Sequence, residues 1–232
     1  MPTIMQWNYM LFQDINTYAG DWSWFDALMV FCANTLIFCW PLLLLVVWGL
    51  PVSWRRRPLQ PGEAEVLQER RATVLWIAVA CLVAYAINLL IEQFVFEPRP
   101  FVTHKVHVLV SHVADSGFPS DHTAWSFAVI GMLFFTFVPL LAWQPKQTPK
   151  SRPEQTPQAD WRPKLVTFLV VAFVVGCTIG FARIFVGVHY PGDVLGGAID
   201  GLIAAYIVTW SRRWLHRLTD VVLKFAQILR IA

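Results

Sequence analysis

The chain has 232 residues, 56% of them hydrophobic and only 14% charged, with 12 tryptophans and a formal net charge of +3. Soluble domains carry about a quarter charged residues, so a water-soluble globule is excluded. The four cysteines, Cys32, Cys39, Cys81 and Cys177, all fall in apolar runs without metal-ligand spacing and read as buried free thiols.

At the N-terminus no basic residue precedes the apolar part and no small-residue cleavage site follows, which argues against a cleavable signal peptide. Ile4, Trp7, Leu11, Ile15 and Tyr18 recur at three- and four-residue spacing. They predict a helix over about residues 3–19 lying in the membrane interface, with Trp7 and Tyr18 at headgroup level. Charge-free runs follow at Ala27–Trp54, Ala72–Ile91, Thr123–Pro145 and Leu165–Ala182, and a fifth, Val194–Ser211, is broken only by Asp200. Each is long enough to cross a bilayer. The fold expected is an all-α bundle of five transmembrane helices over about 26–50, 72–96, 119–143, 164–186 and 191–211, forming one domain across 1–232.

Pro51 helps to end the first span. The linker Ser53–Arg71 carries Glu63, Glu65 and Glu69 at helical distances from arginines and reads as a solvated helix face. The second span stops at Glu97-Pro98-Arg99-Pro100. In the outer loop that follows, His104, His107 and His112 lack i, i+4 spacing and an accompanying carboxylate pair. They read as polar loop residues, not a metal site, with His112 and Asp115 at the mouth of any site there. The linker Gln144–Pro163, rich in Pro, Gln and Thr, reads as flexible. Gly192, Gly196, Gly197 and Gly201 allow close helix approach in the fifth span. In the tail, 212–232, Leu218, Val221, Val222, Phe225 and Leu229 predict a second interfacial helix.

Orientation follows from the basic residues. Fifteen of the 18 Lys and Arg lie in the two linkers and the tail, which five spans place on one face. The positive-inside rule makes that face cytoplasmic, with the N-terminus outside. Arg99, Lys105 and Arg183 remain on the outer side.

The chemistry collects on that outer side. Pro119-Ser120-Asp121-His122 stands where a polar loop turns into the third span. Pro119 suits a first helical turn, whose free N–H groups and dipole favour an anion such as phosphate. The outer ends of the other spans supply Arg99, Arg183, and His189 with Asp193 four residues later. Singly, each has a bland reading: a boundary cation, a turn residue, a first-turn carboxylate. Together they form a site in which two guanidinium forks grip phosphate oxygens, one histidine attacks and the other moves a proton. Asp193 orients His189 in this reading. Asp200, seven residues further and deeper in the membrane, reads as structural, with a polar partner expected.

Arg99-Pro100, Pro119-Ser120-Asp121-His122, and Arg183 with His189 and Asp193 resemble the three-part signature of the type 2 phosphatidic acid phosphatase superfamily over roughly residues 72–211. Leu11-Phe12, Ile15-Asn16, Arg99-Pro100-Phe101-Val102, the His112–Phe118 stretch and Gly187-Val188-His189-Tyr190-Pro191 are similar to the bacitracin-resistance type of undecaprenyl-pyrophosphate phosphatase. Two positions depart from the superfamily pattern: Glu92 stands where it has a lysine, and Ala182 where it usually has serine. Lys105 is the loop cation that could replace that lysine. The resemblance implies a bacterial cytoplasmic-membrane enzyme with its site facing outward. His189 would be nucleophile, Asp193 its orienter and His122 the proton donor. Arg99, Ser120 and Arg183 would hold the phosphate, with Asp121 and Pro119 in support. It implies no cofactor or metal, and a partner that is a lipid pyrophosphate in the bilayer, not a nucleic acid. Other lipid phosphates remain the alternative substrates, and a non-catalytic phospholipid-binding or transport protein the alternative of another class.

Overall fold

In the computed structural model of the chain, residues 3–50, 61–142 and 161–228 are described, and every regular element among them is a helix. Helix α1 (Ile4–Asn16) starts on a reciprocal cap: Thr3 Oγ accepts from the Gln6 N–H, and the Gln6 side chain accepts from the Thr3 N–H. The helix packs inward through Phe12 and Asn16, both buried, while Trp7, Leu11 and Tyr18 stay exposed. Trp7 and Leu11 thus face away from the protein, as suits a helix lying in an interface, while Ile15 of the same stripe packs inward.

The first span is not one straight helix. It comprises α2 (Ser23–Asn34), a 3₁₀ turn (Leu36–Phe38) and α3 (Cys39–Gly49), with a bend of 45° at the break. The proposed stop at Pro51 and the linker 144–160 lie outside the described residues. The third helical segment, α4 (Pro61–Glu92), absorbs the second half of the charged linker into one long rod. It ends at Glu92 instead of near Phe96. Glu69 meets Arg212 of another helix at 3.4 Å.

A short helix, α5 (Pro100–Thr103), opens the outer loop. Three long helices follow: α6 (Asp121–Ala142), α7 (Arg162–Phe185) and α8 (Pro191–Arg212). Finally α9 (His216–Ile228) docks on α4 through Trp76, whose indole N–H donates to Thr219. Among the described residues four helices are long and apolar enough to cross a membrane, and the bent α2–α3 pair makes five. Cys177 is exposed on the outward side of α7, not buried as its apolar surroundings suggested.

The central pair is α6 and α8. Lipid tails are as apolar as leucine, so packing in a bilayer depends on close approach of small residues. Gly197 and Gly201 of α8 provide it: a Cβ at either would collide with the backbone of α6 around Ser120, Ala124 and Ala128. This pairing sets the starts of α6 and α8 side by side. The Ser120 N–H donates to the Asp193 carbonyl at 3.0 Å across that junction.

Candidate active site

Helix α6 begins at Asp121, so Pro119 precedes the helix by two residues instead of occupying its first turn, and the Phe118–Pro119 peptide is cis. The Ser120 N–H is already committed to Asp193, which takes one of the expected anion donors away. Ser120 is fully buried, and its hydroxyl accepts from Thr123 at 3.2 Å, retaining its own proton to donate. Asp121 accepts from the Asn88 amide of α4 at 2.7 Å, holding a neighbouring donor. His122, half-buried in the first turn, is tied through its carbonyl to Ser126, which in turn accepts from the Trp40 indole.

His189 and Arg183 are locked into one turn. The N–H groups of Val188 and His189 both bond to the Arg183 carbonyl, closing the end of α7. Gly187 makes this turn possible with φ +86°, a region where L side chains are strained. A Cβ there would also meet the His107 carbonyl. Arg183 is itself held by the end of α2, where its Nη1 reaches the Ala33 carbonyl at 3.5 Å and Asn34 Oδ1 at 3.4 Å. The break in the first span thus delivers unpaired helix-end acceptors to a buried guanidinium.

Arg99 arrives from the other side. Pro98 bridges Ser116, and the Gly117 N–H donates to the Glu97 carbonyl at 2.7 Å, so the base of the outer loop is pinched shut. The pinch sets Arg99 beside Gly117. Arg99 Nε bonds Asp115 at 2.7 Å, and its Nη1 bonds the Val188 carbonyl at 3.0 Å.

These elements converge on His189, which is 2% exposed. Its Nδ1 lies 2.9 Å from the Gly117 carbonyl and 3.4 Å from Asp193 Oδ2. A carbonyl can only accept, so Nδ1 carries the proton and Nε2 the lone pair. Nε2 faces Arg99 Nη1 at 3.1 Å and Arg183 Nη2 at 3.4 Å. Burial, followed by the charges of Arg183 and Arg99 and then by His112 and His122, holds the His189 pKa well below the usual imidazole range. A neutral imidazole with an outward lone pair between two cations is a nucleophile aimed where an anion would sit. The buried Arg183 Nε has no partner among the described residues, a further donor for such an anion. Asp193 Oδ2 also accepts the Tyr190 N–H at 2.8 Å, which fastens the start of α8 to the site.

The outer-loop histidines go to three different places. His104 stacks on Tyr9 at 4.0 Å and bonds the Tyr190 hydroxyl. His107 uses its backbone to bond Asn16. His112 stands beside His189, with ring centroids 6.4 Å apart, so the mouth placement of His112 and Asp115 matches the geometry. Among the described residues no group of three or more His, Cys, Asp or Glu is placed to hold a metal ion. Lys105 lines a polar crevice with Gln13, Asn16 and Thr17, while the charge of Glu92 faces Arg99, Asp115 and Asp121. Asp200 is 4% exposed and among the described residues neither of its carboxylate oxygens has a hydrogen-bond partner, unlike the partnered residue expected from sequence.

Three contributors escaped sequence reasoning: the backbone carbonyls of Gly117 and Val188, and Asn88. Carbonyls carry no residue-type signal. Asn88 had one, as an amide inside an otherwise apolar span.

A model of the PAP2 superfamily matches residues 73–217. The chain is 30% identical over 223 residues to undecaprenyl-diphosphatase BcrC of Bacillus subtilis (strain 168), covering 96% of this chain and 93% of that protein. It is 28% identical over 205 residues to bacitracin transport permease protein BcrC of Bacillus licheniformis, covering 88% and 80%. In fold it is similar to the crystal structure of Aquifex aeolicus LpxE, with a TM-score of 0.59 and 20% identity over 88% of this chain and 94% of that one.

Proposed function

This chain belongs to the PAP2 superfamily, a family of membrane lipid phosphatases, and we propose that its substrate is undecaprenyl pyrophosphate. The products are undecaprenyl phosphate and phosphate, formed at the outer face of a bacterial cytoplasmic membrane. In this reading the whole of 1–232 acts as one domain with its N-terminus outside and its C-terminus in the cytoplasm. The reaction regenerates the lipid carrier of cell-wall synthesis and confers tolerance to bacitracin.

The observation that carries the chemistry is the His189 lone pair held between Arg99 and Arg183. Nε2 attacks the terminal phosphorus. The N–P bond forms as the bridging P–O bond breaks, and its electron pair leaves with the lipid phosphate. His122 gives the leaving oxygen a proton and then takes one from a water that attacks the phosphohistidine. That step frees phosphate and returns the lone pair to His189. Arg99, Arg183 and the Ser120 hydroxyl meet the charge developing on the equatorial oxygens, the part cations play in phosphoryl transfer generally. The relative from Bacillus subtilis, 30% identical over nearly its whole length, supports the choice of substrate. The outer-end clustering of the site suits a headgroup whose tail remains in the bilayer.

The deciding experiment is phosphate release from undecaprenyl pyrophosphate in detergent with EDTA present, comparing wild type with His189→Ala. Release that survives EDTA and vanishes in the variant supports a histidine phosphatase that uses no divalent metal. Faster turnover of phosphatidic acid, phosphatidylglycerophosphate or diacylglycerol pyrophosphate rejects the substrate. Binding without release from any lipid favours transport, the activity in the printed name of the Bacillus licheniformis relative.

A further inference from the structure

His112 is beside the nucleophile yet has no part in the mechanism above. The four groups that meet the terminal phosphate are buried, with Ser120 at 0%, His189 at 2%, Arg183 at 2% and Arg99 at 6% exposure. The His112 side chain is 26% exposed and that of Asp115 is 55% exposed, so these two form the next layer outward. A leaving group departing from a buried phosphorus must pass through that layer.

Resting on the substrate reading above, we propose that His112 binds the second, lipid-bearing phosphate and so sets a preference for lipid pyrophosphates over lipid monophosphates. In a monoester the leaving oxygen is joined to carbon and offers nothing charged at this level. In a pyrophosphate it is joined to a second phosphorus whose two non-bridging oxygens share a negative charge, one P–O–P link beyond the phosphorus that His189 attacks. His112 Nδ1 points to the Val113 carbonyl at 3.2 Å, which puts a proton on Nδ1 and makes Nε2 the nitrogen open to a ligand. In the free protein, burial and the charge of Arg99 hold its pKa down. The groups facing it are Arg99, Arg183, His189, His122 and Asp115. Arrival of a pyrophosphate adds negative charge and favours uptake of a proton from solvent, so Nε2–H can donate to the leaving phosphate as the bridging bond breaks. Asp115 acts as a positioning residue. It bonds Arg99 Nε at 2.7 Å and lies 3.9 Å from His112 Nδ1, tying both layers together.

The test compares kcat/KM on farnesyl pyrophosphate and farnesyl monophosphate for the full chain, wild type, His112→Gln and His112→Lys. Wild type should prefer the pyrophosphate. His112→Gln should lower that preference about tenfold, the scale of one charge-assisted hydrogen bond, by losing more on the pyrophosphate than on the monophosphate. His112→Lys, which returns a cation, should recover most of the preference. Equal losses on both substrates in His112→Gln, an unchanged ratio, or a lysine variant as poor as glutamine overturns the proposal. A wild type with no preference for the pyrophosphate instead overturns the substrate reading, and the role of His112 with it.

Discussion

The Gly117 carbonyl lies 2.9 Å from Nδ1 of His189, nearer than the Asp193 carboxylate at 3.4 Å. In a triad the carboxylate is the group that fixes the imidazole tautomer, and its amide variant fails because the wrong nitrogen then carries the proton. Here a backbone carbonyl, which has no protonation equilibrium, fixes it first. Asp193→Asn should therefore leave Nδ1 protonated and lose only the charge that steadies the imidazolium. The expected fall in kcat is about tenfold to a hundredfold, well short of the ~10⁴-fold loss seen where a carboxylate alone sets the tautomer. Steady-state kinetics on the purified variant decide it, and a loss near 10⁴ would show that Asp193 is the governing partner.

A second consequence concerns ionisation. Burial and the surrounding cations lower the His189 pKa, so its neutral form persists as pH falls through the usual imidazole value of about 6.5. The folded-state value lies below the unfolded one, so this group favours folding above about 6.5, and that contribution is lost as pH falls toward the folded value. Nitrogen NMR of histidine-labelled protein, with His189 assigned by its absence in His189→Gln, should show a neutral Nδ1–H ring still present at pH 6. A His189 ring that titrates at the ordinary value contradicts the buried, cation-flanked site.

Much of this architecture was legible in the sequence because its signals are chemical. Charge-free runs mark spans, and the arginines and histidines at the span ends opposite the basic linkers need a reason to be there. The structure brings Arg99, Arg183, His189 and Asp193 together and places His122 within their electrostatic reach. What was not legible depends on backbone placement. Counting charges does not locate the bend at Asn34, although the polar pair Asn34-Thr35 stands there in an otherwise apolar stretch, and the bend lies where α2's end carbonyl and Asn34 meet Arg183. Residue type makes Pro119 a helix start, but the N–H of Ser120 is taken by Asp193, and the helix begins two residues after Pro119, at Asp121.

The closeness of α6 and α8 gives a stability prediction. A methyl at position 201 would lie 2.7 Å from the Ala128 nitrogen, besides meeting the Ala124 carbonyl, and neither backbone atom can yield without moving a helix. Gly201→Ala gains helix propensity, by about 1 kcal/mol, but overpacks the central helix pair at a cost of about 1–3 kcal/mol. A net loss is expected, read as a lower midpoint of thermal unfolding in detergent. Gly62→Ala, where a Cβ meets nothing among the described residues, serves as the control and should not lower the midpoint. A midpoint for Gly201→Ala at or above that of wild type contradicts the close packing.

Asn16 makes a different kind of link. It is 3% exposed, its amide donates to the carbonyls of His107 and Phe185 at 2.8 Å each, and its oxygen accepts the His107 N–H at 2.9 Å. One side chain thus fastens α1, the outer loop and the end of α7, and the same loop carries Asp115 and Gly117 into the site. In Asn16→Asp the acceptor remains but both donors are lost, and a carboxylate faces two carbonyl oxygens. The unmet buried groups should cost about 2–3 kcal/mol. The loop, no longer tethered, should lower kcat/KM as well as the unfolding midpoint. Asn16→Ala, which creates no repulsion, should fall between wild type and the aspartate variant on both measures. If the midpoint falls while kcat/KM holds, the tether supports the fold alone and does not position Gly117 for His189.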